Sequence, residues 1–131
     1  MTRRGSKARP DRGSGPVELA ILAIPLLVMT FMVAQAAFVF YARSTALAAA
    51  TQGANSARSY NASPNAGIDR ANNFLVQVRG GGLRNHTVSQ TVNASGTEVT
   101  ITVTGDAPSI IPFWTYHVRQ RATGPVERWV P

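Results

Sequence analysis

The chain of 131 residues has no cysteine and few acidic residues. The lack of cysteine excludes a disulfide scaffold, a thiolate metal site and a lipid-modified cysteine at the head of a signal sequence. Six Asp and Glu face thirteen Lys and Arg, which gives a net charge of +7. The only histidines, His86 and His117, do not lie at ligand-like spacing from carboxylates, so the sequence predicts no metal site.

The excess positive charge is concentrated at the N-terminus. Residues 1–13 contain five basic residues and one acidic residue. This is a charged end and not a basic face, so a nucleic-acid partner is not predicted. Near the C-terminus, Arg119, Arg121 and Arg128 are expected to form a solvated face.

A long apolar run follows the basic segment. From Leu19 to Tyr41 there are 23 residues without a charge. As a helix, this run would be roughly 35 Å long, which is enough to cross a hydrocarbon core about 30 Å thick. Because the basic residues precede the run, the positive-inside bias predicts a cytoplasmic N-terminus and an extracytoplasmic module after Tyr41.

Hydropathy alone leaves other interpretations of the apolar run open. It could be a plain membrane anchor, or a removable secretory signal cut after Ala36 in the A-x-A-like triplet Ala34-Gln35-Ala36. Against removal, the apolar residues continue beyond Ala36 to Tyr41. A cytoplasmic nucleic-acid-binding protein is a poor third interpretation, since it would leave 23 apolar residues in water.

The residues after the apolar run predict two helical segments. Residues 42–58 are rich in alanine, so the membrane helix should continue well past Tyr41. Residues 60–65 are typical of a loop. A second helix is expected over residues 67–79, ended by Gly80-Gly81-Gly82. Its apolar positions recur at helical spacing and are Ile68, Ala71, Phe74, Leu75 and Val78.

Strand signals occupy the last third of the chain. Residues 97–104 alternate strictly, with Val99, Ile101 and Val103 on one side and threonines on the other. An earlier strand over residues 86–92 should join this one through a turn at residues 93–96. Residues 105–108 are expected to interrupt the pattern before a third strand over residues 116–122. The predicted fold class is therefore α+β, with a long helix, a second helix and about three antiparallel strands.

Four aromatic residues near the C-terminus allow two interpretations. Core packing is the expected one, and a surface patch that binds a partner is the alternative. The four are Phe113, Trp114, Tyr116 and Trp129.

A glycine and a glutamate stand at the mouth of the apolar run. Gly13 precedes Glu18 by five positions, with the basic segment before them and the apolar helix after them. This arrangement resembles the processing site of type IV pilin-like proteins. The resemblance implies that a prepilin peptidase cuts between Gly13 and Ser14 on the cytoplasmic side. Glu18 would then be the fifth residue of the mature chain and an assembly residue.

The whole chain resembles the TadE-like minor pilins, or pseudopilins, of the Tad (Flp-type) tight-adherence pilus system. The resemblance is carried by three stretches: "RGSGPVELAIL", "FYARSTALAAATQGANSAR" and "TGDAPSIIPFW…ATGPVERWVP". It implies a pilin-like fold with three parts: a basic leader at residues 1–13, a transmembrane and extended helix at residues 14–58, and an extracytoplasmic module at residues 59–131.

The same resemblance implies a structural component of a pilus assembly or secretion machine. Its expected partners are the membrane, a prepilin peptidase, other minor pilins and an inner-membrane platform. No nucleophile occurs in a recognisable elbow or triad context, so the sequence predicts no enzyme, no cofactor and no small-molecule substrate. The sequence leaves open whether the subunit enters a filament or remains a membrane scaffold.

Overall fold

The computed structural model describes residue 5, residues 14–78 and residues 82–131. Two helices are followed by one three-stranded antiparallel sheet with the strand order β1-β2-β3. The elements are α1 (Ser14–Ala57), α2 (Ala66–Gln77), β1 (Arg84–Val92), β2 (Glu98–Ala107) and β3 (Tyr116–Pro125). This confirms the predicted α+β fold class. The predicted leader at residues 1–13, apart from Gly5, lies outside the described residues, as do Gly80 and Gly81.

Helix α1 is a single helix of 44 residues. It therefore continues far beyond Tyr41, as the alanine-rich composition predicts. The chain divides into two compact units, Met1–Val33 and Ala34–Pro131, and α1 supplies residues to both. Within the second unit, α1 contributes its buried face, which consists almost entirely of small residues.

Helix α2 is shorter than predicted and ends at Gln77. Its apolar stripe is confirmed in part: Ala71 and Leu75 are buried, while Ile68 and Phe74 are half-buried. Val78 is exposed because it is the C-cap residue, beyond the last full turn. Asp69 lies in the first turn, where a negative charge interacts favourably with the helix dipole.

The first two strands form the predicted hairpin. Val92 pairs with Val99, and the turn between the strands depends on the Asn93 side chain. Its Oδ1 atom accepts hydrogen bonds from the backbone N–H groups of Thr97 and Glu98, at 2.8 and 3.0 Å. Gly96 has φ +66°, a conformation that glycine adopts without steric cost. The turn chemistry therefore sets the register of β1 against β2.

Strand β2 alternates as predicted, with Val99, Ile101 and Val103 buried. The predicted interruption at residues 105–108 is wrong, because β2 continues through Gly105 to Ala107. At Gly105, a Cβ would lie 2.6 Å from Leu83 Cγ. The glycine therefore makes room for a buried side chain and does not mark the end of the strand.

Strand β3 is longer than predicted and runs on to Pro125. Its extension pairs Thr123 with Thr100 and Pro125 with Glu98. The Oγ1 atoms of Thr100 and Thr123 are 2.7 Å apart, so the two hydroxyls form a cross-strand hydrogen bond on the outer face of the sheet. After the strand, Glu127 N–H donates to the Arg58 carbonyl at 2.8 Å, which holds the chain against the end of α1.

The core lies between the inner face of the sheet and the two helices. Its helical side consists mainly of alanines from α1, and its sheet side of branched residues from β2 and β3. The members are Ala42, Ala46, Ala49, Ala50, Ala54, Ala71, Leu75, Leu83, Ile101, Val103, Ala107 and Val118. Because the core residues of α1 are alanines, the larger side chains of the core come from the sheet, from α2 and from the segment before β1.

Two glycines mark the closest approach of α1 to α2. A Cβ on Gly53 would lie 2.7 Å from the Gly67 carbonyl oxygen and 3.1 Å from Ala71 Cβ. A Cβ on Gly67 would lie 2.7 Å from Gln90 Oε1 and from Ile101 Cδ1, which belong to the sheet, and 2.8 Å from Ala57 Cβ. Both positions therefore require glycine for close packing, Gly53 mainly against α2 and Gly67 against both α1 and the sheet, and not for backbone conformation.

Candidate functional site

The first half of α1 is exposed on all sides. From Gly15 to Val33 every residue is exposed, and Glu18 is the one charged residue among them. The helix continues through Pro25, and the Thr30 hydroxyl donates to the Leu26 carbonyl at 2.9 Å. That bond satisfies a polar group that hydrocarbon could not solvate. By length and composition this helix fits a single-pass membrane protein.

Glu18 lies in the second turn of α1 and is exposed. It is the one charged residue between Val17 and Ala42. Side chains on an α-helix lean toward its N-terminus, so the Glu18 carboxylate is directed toward the turn that contains Ser14. Ser14 precedes Glu18 by four positions, which is about one helical turn along the backbone.

The predicted processing residues are only partly described. Gly13 lies outside the described residues, while Ser14 is the first residue of α1. The predicted span, Leu19 to Tyr41, lies entirely on α1, and its last residues, from Ala34 on, belong to the second compact unit. The cut after Gly13 and the limits of the span therefore remain predictions.

Gln35 has a role that the sequence did not reveal. It is only 8 % exposed, and its side-chain amide binds the loop between β2 and β3 at two points. Its Nε2 atom donates to the Pro108 carbonyl at 3.2 Å, and its Oε1 atom accepts from Ile110 N–H at 3.0 Å. A lone glutamine in an apolar run suggests that its side chain has a polar partner. The sequence does not identify that partner, because it is more than 70 residues away.

The loop between β2 and β3, residues 108–115, is rich in exposed apolar side chains. Phe113 is fully exposed, and Trp114 is 61 % exposed. Trp129, after β3, is 69 % exposed, whereas Tyr116 packs against the core. The expected core packing is therefore wrong for three of the four aromatic residues, because none of those three lies on the inner face of a strand.

His117 and Asp106 form a second contact that spacing did not predict. They are directly opposite each other in the β2–β3 ladder, and His117 Nδ1 is 2.5 Å from Asp106 Oδ1. Asn85 Nδ2 donates to the other carboxylate oxygen at 3.4 Å. The His117 side chain is 81 % exposed, so the pair contributes little to stability. In residues 14–78 and 82–131, no group of three or more His, Cys, Asp or Glu could hold a metal ion.

Three regions together define the class of protein. A long helix begins with an exposed apolar half that contains one glutamate, continues as an alanine-rich half, and packs there against a small antiparallel sheet. This is the α+β arrangement that the resemblance to pilin-like proteins implies.

A family comparison makes the class more specific. Residues 13–55 match the model of the family described as TadE-like protein. The match confirms the resemblance over the apolar helix and most of its alanine-rich continuation, about a third of the chain. It supports a pilin-like structural component associated with a Tad pilus. No curated protein and no solved structure matches the chain.

Proposed function

We propose that the chain is a minor pilin, or pseudopilin, of a Tad (Flp-type) pilus assembly or secretion machine. In this proposal a prepilin peptidase removes residues 1–13, the apolar half of α1 stays in the cell membrane, and the module lies outside the cytoplasm. The observation that carries the proposal is Glu18, a single exposed carboxylate near the start of a helix that is otherwise apolar and exposed up to Val33.

A carboxylate at the edge of hydrocarbon is costly unless it is paired. Cleavage after Gly13 would remove the basic leader and create an ammonium group on Ser14, one helical turn before Glu18. That ammonium could pair with Glu18 of the same chain or of a neighbouring helix. Pairing between neighbours would offset the desolvation of both charges and set the register of packed subunits. The proposal assigns the chain a structural role and no catalytic one.

The position of Gln35 counts against the alternative of a secreted module cut after Ala36. That cut would remove the buried amide that binds the Pro108 carbonyl and Ile110 N–H. The loop would lose its attachment to α1, and two backbone groups would lose their partners. A chain that keeps its apolar helix retains these contacts.

The first test is the N-terminal sequence and intact mass of the protein recovered from bacterial membranes. We expect a mature chain that begins at Ser14, and a Gly13→Arg variant that remains uncut. A chain that begins at Ala37 would instead indicate a secreted module, and an intact Met1 start would indicate a plain anchor. Either of these results would contradict the proposal.

The second test separates insertion from assembly. Glu18→Ala should still insert into the membrane, because it removes a charge from an apolar helix, but cross-linking in membranes should no longer capture assembled subunits. Glu98→Ala is the matched control, since it removes an exposed carboxylate from the sheet. If Glu18→Ala still assembles normally, the proposed role of Glu18 is refuted. If assembly is lost in both variants, the loss is not specific to Glu18, and its proposed role is refuted as well.

A further inference from the structure

We propose that the loop at residues 108–115 inserts its apolar side chains into the surface of the lipid bilayer, on the side of the membrane where the module lies. The inference rests on the proposed membrane span of α1. It goes beyond that proposal by assigning a lipid-binding role to a segment outside the helix. Ile110, Phe113 and Trp114 would be the inserted residues.

The loop is attached to α1 close to the position at which the helix should leave the hydrocarbon core. About 20 helical residues cross a hydrocarbon core of about 30 Å. Counted from Leu19, the crossing ends near Phe38, so Gln35 lies roughly one turn inside the boundary. Because Gln35 binds both Pro108 and Ile110, this part of the loop lies at the depth of the membrane surface.

The backbone of the loop is suited to an environment with little water. Ile110 N–H donates to Gln35, Ile111 N–H donates to Ser109 Oγ at 3.2 Å, and Trp114 N–H donates to the Ile111 carbonyl at 3.4 Å. Pro112 has no N–H. Several donors that hydrocarbon would leave unsatisfied are therefore already bonded within the protein.

The side chains of the loop face solvent although they are apolar. Phe113 has φ +65°, a left-handed conformation that is unfavourable for a bulky residue, and its side chain is fully exposed. Strain that presents an aromatic ring to solvent is typical of a functional segment. Nearby on α1, Phe38, Phe40 and Tyr41 are also exposed, and aromatic residues are enriched at membrane interfaces.

Basic residues flank this apolar surface. Arg43 is exposed on α1 just beyond the aromatic residues, and Arg84 lines the same open cleft as Phe113 and Trp114. Asp106 also lines the cleft, but its carboxylate contacts His117 and Asn85. Arginines beside an aromatic surface complement lipid phosphates, so the charge favours a bilayer over an apolar protein partner.

The chain contains a natural control for testing the loop. Its two tryptophans are Trp114 and Trp129, which are exposed to similar extents. Trp129 follows Glu127, which is bonded to Arg58 at the far end of α1. Along the helix axis, Arg58 is roughly 35 Å from Gln35. The two indoles therefore report on opposite ends of the module.

The experiment uses the full-length chain in phosphatidylcholine and phosphatidylglycerol vesicles with brominated acyl chains. Trp129→Phe leaves Trp114 as the one tryptophan, and Trp114→Phe leaves Trp129. We expect Trp114 to show blue-shifted emission, a loss of intensity in brominated vesicles and protection from acrylamide. Trp129 should show none of these changes.

A third variant separates this inference from the proposed span. Phe31→Trp, in a chain that also carries Trp114→Phe and Trp129→Phe, places the reporter near the middle of the span. Quenching of this reporter by brominated lipid without quenching of Trp114 would overturn the loop inference alone. Absence of quenching at position 31 would overturn the span and the inference together. If acrylamide is excluded from Trp114 without quenching by lipid, a protein surface covers the loop and the inference is wrong.

Discussion

Gly53→Ala tests the close packing of α1 against α2, which is the least obvious feature of the fold. The added methyl group would lie 2.7 Å from the Gly67 carbonyl oxygen, 3.1 Å from Ala71 Cβ and 3.1 Å from Ile101 Cγ2. The shortest of these contacts is with a backbone atom in the first turn of α2, which cannot rotate away. The two helices would have to separate to accept the methyl group.

Two effects of opposite sign set the size of the change. Overpacking a core position costs about 1–3 kcal/mol. Replacing glycine by alanine inside a helix contributes about 1 kcal/mol in the other direction. Because the closest partner is fixed backbone, we expect packing to dominate, with a net destabilisation of about 1 kcal/mol. For a unit of this size, that lowers the Tm by roughly 4–8 °C.

The measurement is thermal unfolding of the full chain in a mild detergent, followed by circular dichroism. Asn55→Ala is the matched control, since Asn55 is exposed on the same helix two residues away. We expect the control to stabilise the protein by about 0.5 kcal/mol, through helix propensity alone, and so to raise the Tm slightly. If Gly53→Ala raised the Tm as Asn55→Ala does, the close approach of the helices would be refuted.

Two further predictions concern the core and the loop attachment. Leu75→Ala should destabilise the protein by about 2–5 kcal/mol in urea unfolding, because Leu75 is fully buried. Val76 is 71 % exposed, so Val76→Ala should change stability by less than about 0.5 kcal/mol. Equal effects of the two substitutions would show that the face of α2 that contains Leu75 does not pack against the core. Gln35→Leu should cost about 1–3 kcal/mol, because the Pro108 carbonyl and Ile110 N–H lose their partner. Hydrogen exchange at Ile110 should become faster, and unchanged protection would show that Gln35 does not hold the loop.

Local patterns in the sequence were sufficient for most of the elements. The apolar run, the alanine-rich continuation, the stripe of α2 and the alternation of Val99, Ile101 and Val103 depend on neighbours within a few residues. The turn at residues 93–96 was equally clear, because Asn93 makes its hydrogen bonds to residues four and five positions away. The pattern of Gly13 and Glu18 also came from the sequence, and so did the family resemblance that residues 13–55 confirm.

The wrong end of β2 arises because a glycine in a strand has more than one possible structural role. Gly105 is typical of a strand end, yet it lies inside β2 because Leu83 occupies the space of its side chain. Large apolar side chains are usually buried, so the sequence predicts the core for aromatic residues that the structure leaves exposed. Their exposure depends on the path of the β2–β3 loop, which no local periodicity encodes.

Short-range patterns in the sequence predict an apolar helix able to span a membrane, a glutamate near its start and an α+β module after it. These features follow from hydropathy, charge order and periodicity, which act over short distances along the chain. Three contacts become visible once the elements are packed: Gly53 lies against Gly67, Asp106 lies opposite His117, and Gln35 binds the loop at residues 108–115. Each of these contacts joins residues that are distant in sequence, so its partner is set by how the elements pack and not by any pattern within one of them.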